Sequence, residues 1–378
     1  MESLPPELVV DIVASVALPR SCLASLCLVN HSFLSLVRPL LYRDLSLRLG
    51  TRGRLAWPHD LALARLVARS PLHAQCVHRL DLFLGDFSPP DFVDFERLLA
   101  ATTALDHLAL SEGRYCRTEF CERIVDLVAL HCPTLRALHL TQFALSEREV
   151  SHALTAPLAA TLQDLSLSLV PPSADPEPDP VSTSLGRLVS LEVVSPIGRP
   201  TFERLFASSF ATLASLALLL DDAARSTPPP DLSKLVSLVH LALRSGPASR
   251  GTIDLPSGAL ARVLASAAAS LGALRSLSVT IPRRTPSDRR PVALALLLES
   301  VVPAHHKTLE SLEVVASGAE HLAWSTLLAS RVHSCPRLGR LRLGLVQGTD
   351  ARRSARAYFG CDEPERAYGI EIEWVPAV

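Results

Sequence analysis

Aromatic residues make up only 5% of the 378 residues, methionine occurs once, and the only lysines are Lys234 and Lys307. Any core must therefore be aliphatic, and 71 leucines are there to build it. Net charge is almost absent, with 37 basic against 38 acidic residues. A general nucleic-acid binder carries a basic excess that neutralises phosphates, so that class is set aside. No stretch reaches the ~18 uncharged apolar residues of a membrane span; the best run, Val292 to Leu298, stops at Glu299. Met1-Glu2-Ser3-Leu4-Pro5-Pro6 has no basic stretch of the kind that opens a secretory signal. The eight cysteines, at 22, 27, 76, 116, 121, 132, 335 and 361, form no CxxC pair. That spacing fits neither a zinc site nor a secreted disulfide scaffold. These absences predict a cytoplasmic or nuclear protein with reduced thiols and no metal.

Signatures of catalysis are missing too. There is no G-x-S-x-G, no G-x-G-x-x-G and no P-loop. His131-Cys132 is no thiol–imidazole pair if Cys132, like Cys335, is a small buried hydrophobe preceding a strand. His305-His306 reads as a solvated turn, and Cys116 with Cys121 lacks two further metal ligands. The chain is expected to be no enzyme and to need no cofactor.

What the sequence has in abundance is a repeat. The frame L-x-x-L-x-L, with Val admitted at core positions, starts at Val77, Leu105, Leu135, Leu162, Leu188, Leu213, Leu238, Leu274, Leu309 and Leu338. Successive starts lie 25 to 36 residues apart. Between frames the apolar period shifts from two to about 3.6, as in Phe92, Phe95, Leu98 and Leu99, or Leu260, Val263, Leu264 and Ala267. Ser146-Glu147-Arg148-Glu149 has capping-box spacing. Each unit therefore reads as a strand, a loop and a returning helix, and stacked units share one core.

This pattern resembles the leucine-rich-repeat family over roughly residues 77 to 345. The resemblance implies an α/β fold, a leucine-rich-repeat solenoid (horseshoe) with parallel strands inside and helices outside. The family's Asn or Cys after the strand is replaced by Gly113, Phe143 and Val170, so a regular polar ladder at that position is not expected.

Residues 1–45 carry no strand frame. Leu8, Ile12 and Val16 are spaced four apart on one helical face, Ser21 can cap a second helix, and Phe33, Leu36, Val37 and Leu40 mark a third. Such a segment can be a helical cap for the solenoid. It also resembles an F-box in the form found in fungal proteins, through Leu4-Pro5-Pro6-Glu7-Leu8, Leu26-Cys27-Leu28-Val29 with Phe33, and Arg38-Pro39-Leu40-Leu41-Tyr42. That resemblance implies three small helices that bind a Skp-type adaptor and, through it, a cullin, while the repeats hold a protein substrate. The chain would then be the substrate-recognition subunit of a Skp–cullin–F-box ubiquitin ligase; the alternative is a non-ligase repeat scaffold. Leu4, Pro5, Leu8, Ile12, Leu26, Leu28 and Val29 are the expected adaptor contacts or their support. The organisation expected is 1–45 F-box-like, 46–76 linker and cap, 77–345 solenoid, and 346–378 a C-terminal loop and capping strand.

Substrate contacts are sought on the inner face and the rim. Frame positions three, five and seven alternate away from the core, and fifteen of those thirty residues are Ser, Ala, Thr or Gly, with Phe83 the only aromatic. Arg340 and Arg342 stand out as an anion clamp, unless Glu371 and Glu373 of a last strand neutralise them. Two loops after strands carry opposite charge: Asp175, Glu177 and Asp179 in one, Arg283, Arg284, Arg289 and Arg290 in the other. They are either a docking rim or solvated insertions.

Overall fold

An aliphatic side chain fully removed from water contributes about 1.5–3 kcal/mol, and a period-two frame delivers three of them to one side of each strand. The computed structural model describes residues 5, 8, 11–13, 16, 18–52, 55–85, 89–112, 118–147, 150–151, 154, 157–169, 185–220, 228–245, 258–270, 273–281, 297–316, 328, 331–344, 350–359, 363, 365–367 and 369–375. All thirty core positions of the ten frames are buried, none more than 5% exposed.

The chain forms two compact units, Met1–Ser168 and Leu169–Val378. The first begins with helices α1 (Arg20–Cys27) and α2 (His31–Arg43) and strand β1 (Asp44–Leu49). Helices α3 (Pro58–Arg69) and α4 (Pro71–Ala74) follow, then β2 (Arg79–Leu84), α5 (Pro89–Ala101) and β3 (His107–Glu112). The unit closes with α6 (Thr118–His131), β4 (Ala137–Leu145), α7 (Pro157–Thr161) and β5 (Asp164–Leu169), whose last residue opens the second unit. Strand order is chain order, and β1 to β4 pair in parallel with leucine opposite leucine: Leu45, Leu80, Leu108 and Leu138 in one row.

The second unit continues the pattern with β6 (Ser190–Pro196), α8 (Arg199–Phe206), β7 (Ser215–Leu220), β8 (His240–Ser245), α9 (Gly258–Ala268) and β9 (Ser276–Ile281). It ends with α10 (Val302–His305), β10 (Ser311–Ala316), β11 (Arg340–Gly344), α11 (Ala351–Phe359) and β12 (Ile370–Val375). Every pair from β6 to β12 is parallel, and only Arg366–Ala367 runs back against β12. The fold is thus α/β, made of repeated parallel strands.

One backbone device recurs. The carbonyl at frame position two accepts from two successive N–H groups of the next strand: His78 from Asp106 and His107, Ala214 from Val239 and His240, Glu310 from Gly339 and Arg340. A side-chain device accompanies it. The residue just before the frame donates its hydroxyl to the first-position carbonyl of the preceding repeat: Thr161 to Leu135 at 3.0 Å, Thr212 to Leu188 at 2.8 Å, Thr308 to Leu274 at 2.9 Å. These hydroxyls form a polar ladder ahead of the strands.

Three findings depart from the sequence reading. The sheet starts earlier than the first frame: β1 lies in register with β2, at the junction of the segments expected as F-box and linker. Tyr42 holds its first frame position, and His78 N–H bonds Arg43 O as in later repeats. Among the described residues, not every unit shows an α-helix. The unit that begins at Leu213 returns to Leu238 through a 3₁₀ turn, Leu232–Lys234. Finally, Phe143 turns inward. Alternation from Leu138 and Leu140 would send Gln142 into the core, but Gln142 takes φ +68°. That left-handed residue resets the alternation as a bulge does, and Phe143 and Leu145 are buried instead.

Cys22, Cys27, Cys76, Cys121, Cys132 and Cys335 are free thiols. Cys132 and Cys335 are buried ahead of their strands, and burial pushes the Cys132 thiol up to about 12. Since the thiolate is the reactive form, a disulfide reagent at pH 8 is expected to modify exposed Cys22 in the fast phase and Cys132 only after unfolding. Peptide mapping of partly labelled protein checks the order; early labelling of Cys132 would contradict its burial.

Candidate functional site

The N-terminal helices have more apolar surface than their core can use. Asn30 caps α2, its Oδ1 accepting from Phe33 N–H at 2.8 Å, and the preceding turn is closed by Leu28 N–H to Ser25 O and Val29 N–H to Leu26 O. This packs α1 onto α2 around three buried residues, Val13, Leu23 and Val37. Leu18, Leu26, Cys27, Phe33, Leu36, Leu40 and Leu41 fill in around them, half-buried. Residues Asp11–Val13 are helical, and Val16 N–H bonds Ile12 O. Val13 therefore faces the core while Ile12, one position away, does not.

What remains outside is apolar. Leu8, Ile12 and Val16 are 48%, 51% and 60% exposed, and Leu28 and Val29 at the α1–α2 turn 88% and 61%. These five are nearly half of the twelve large exposed hydrophobics among the described residues. A soluble domain rarely leaves such side chains grouped in so short a segment without a use. Of the expected adaptor contacts, Pro5, Leu8, Ile12, Leu28 and Val29 are exposed, Leu26 supports the core, and Leu4 lies outside the described residues.

The repeat face carries paired charge. Arg342 lies between Glu313, at 2.8 Å, and Glu373, at 3.3 Å, and Ser278 donates to the same Glu313 at 2.6 Å. The register sets Arg340 opposite Glu371 and Arg342 opposite Glu373. Arg283, Arg284, Arg289, Arg290, Asp175, Glu177 and Asp179 lie outside the described residues.

Sequence reading passed over a zigzag row on the first unit: Asp81, His107, His139 and Asp164. The two imidazoles lie 4.8 Å apart, His139 Nε2 is 3.2 Å from Asp164, and His107 Nε2 is 3.9 Å from Asp81. The signal was there, as histidine at frame positions three and five of successive repeats. Burial first, then Arg79 and His139, hold the His107 pKa below its usual value, with Asp81 and Asp164 opposing. The folded protein therefore takes up this proton less readily than the unfolded chain. Stability from neutral His107 is complete above the unfolded pKa of about 6.5 and is lost as pH falls through the lower folded value. Urea midpoints between pH 7.5 and 5 should fall more for wild type than for His107→Gln; parallel curves would contradict this.

Among the described residues no three His, Cys, Asp or Glu side chains are grouped as a metal site needs, and no helix is long and apolar enough to cross a membrane. No family model matches the chain, and no curated relative does. Two solved structures are similar in outline. One is a chain from the Rad7 and Elc1 complex in yeast, 16% identical, covering 97% of this chain and 91% of that one with a TM-score of 0.46. The other is a protein from Bacteroides fragilis, 15% identical, covering 66% of this chain and 60% of that one with a TM-score of 0.34. Likeness at these levels adds nothing to what the strands and helices already establish.

Proposed function

We propose that the chain is a substrate-recognition subunit of a Skp–cullin–F-box ubiquitin ligase, its N-terminal helices acting as the F-box and its leucine-rich repeats as the substrate holder. The observation that supports this most is the exposed apolar set Leu8, Ile12, Val16, Leu28 and Val29 beside a small core in which three of the described residues, Val13, Leu23 and Val37, are buried. A segment that small commonly relies on a partner for stability, and apolar side chains outside its core are what a helical adaptor would cover. The subunit itself is read as non-catalytic. Substrate would meet the rim loops, through Arg283, Arg284, Arg289 and Arg290 or the acidic loop, or the inner face near Arg340.

Co-purification tests the reading. The full chain, expressed with a Skp-type adaptor, should carry it stoichiometrically through size exclusion and bring a cullin down with it. A chain that elutes without adaptor at micromolar concentrations of both would leave a repeat scaffold with a helical cap.

A further inference from the structure

The stretch Arg38-Pro39-Leu40-Leu41-Tyr42 at the end of α2 is only partly explained by packing. Leu40 and Leu41 rest against the buried trio, and the Tyr42 ring meets that of His73, on α4, at 4.6 Å. Arg38, one turn before Tyr42, is half-buried. Among the described residues its guanidinium forms neither a hydrogen bond nor an ion pair, and its Nε is shut off from water. The two Nη groups still reach solvent.

The groups packed around Arg38 bring no negative charge. Burial pushes the thiols of Cys27 and Cys76 up, with Arg38 opposing, and burial raises the Tyr42 phenol too. Burial, then Arg38, holds the His73 pKa below its usual value. All four are therefore neutral at pH 7, and no carboxylate among the described residues lies within ion-pair reach. A guanidinium that gives up water at one nitrogen without gaining a partner is costly to keep. It also borders the exposed apolar turn: Cys27, whose thiol feels Arg38, leads directly into Leu28 and Val29.

We propose that Arg38 is the charged anchor of the adaptor interface and receives one carboxylate of the adaptor. The inference rests on the F-box reading and adds the polar contact that an apolar patch alone lacks. One cation among neutral groups matches one carboxylate, whose two oxygens suit the two Nη donors. A phosphate would set about two negative charges against a single positive one. Because the side chain is already packed down at Nε, it loses little freedom on binding, and arginine is enriched among the residues that dominate interface energy.

Calorimetric titration of the full chain with a recombinant Skp-type adaptor at physiological salt tests this. Arg38→Gln should weaken binding at least tenfold, and Arg38→Lys, which keeps the charge but not the planar fork, several-fold. Since nothing described inside the chain pairs with Arg38, both variants should keep the wild-type melting temperature and helicity. Should Arg38→Gln melt early, Arg38→Lys carries the test. Arg20→Gln, a neutralisation at an exposed site on α1, should leave affinity unchanged. A scan of the adaptor's Asp and Glu residues to amides should then find one position whose loss matches that of Arg38→Gln and does not add to it in the double variant. Affinity within twofold of wild type for the Arg38 variants, an equal loss in Arg20→Gln, or amide variants that all add to Arg38→Gln would overturn the anchor while leaving the F-box reading in place. Failure of the wild-type chain to bind would remove both.

Discussion

Leu8→Asp combined with Ile12→Asp is expected to abolish adaptor capture while leaving the chain folded. Both side chains are about half exposed, so charging them costs the free protein little, within about 0.5 kcal/mol for ordinary surface positions. Covered by an apolar partner, each carboxylate would be stripped of water without a counter-charge, at a cost of several kcal/mol. Two such losses weaken a complex by roughly a thousandfold or more, since about 1.4 kcal/mol is a factor of ten. Val13→Asp is the contrasting variant. Val13 belongs to the buried trio with Leu23 and Val37, and this change should unfold the helical segment and lower its helicity as well as its binding. Full adaptor binding by the surface double variant would remove the F-box reading.

Phe143→Ala is expected to be among the most damaging single substitutions. The side chain is wholly buried, and removing a buried phenyl ring costs about 3–5 kcal/mol through lost transfer energy and the cavity left behind. Its neighbour gives the opposite sign. Gln142 sits at φ +68°, a left-handed conformation costing non-glycine residues roughly 1–2 kcal/mol. Gln142→Gly should recover part of that, and the net gain is about 0.5–1 kcal/mol because glycine also loses more freedom on folding. Urea denaturation followed by circular dichroism measures both. A midpoint unmoved by Phe143→Ala would mean that the bulge does not carry the ring inward.

How much of this was readable beforehand depended on the kind of signal. Thirty frame positions were legible because strand alternation and burial say the same thing, and the pairing register followed from them. Strand β1 escaped because Tyr42 occupies a position where the frame admits only Leu or Val. Phe143 lay outside alternation since one backbone dihedral, invisible in composition, reverses the side of every residue after it. For the N-terminal segment, apolar spacing of four announced a helical face but not whether it was covered. Ile12 and Val13 are neighbours of similar character, and only packing tells that one faces the core and the other does not. The histidine row was visible as residues and missed as a pattern, because its members alternate between frame positions five and three on successive strands, which a repeat-by-repeat reading separates.

The threonines at 161, 212 and 308 have a consequence for how such a chain diversifies. They fasten neighbouring repeats where strands begin, at the end whose spacing to the frame never varies. The opposite end is joined as well, Ser111 donating to Leu82 O and Thr141 to Leu110 O, but beyond it the sequence differs most from unit to unit: the segment after β5 is acidic and proline-rich, the segment after β9 basic. Doubling a loop costs only about 0.6 kcal/mol in closure entropy. New binding loops can thus be grafted after any strand without disturbing the joints, so that the scaffold is inherited while the recognition surface is free to change.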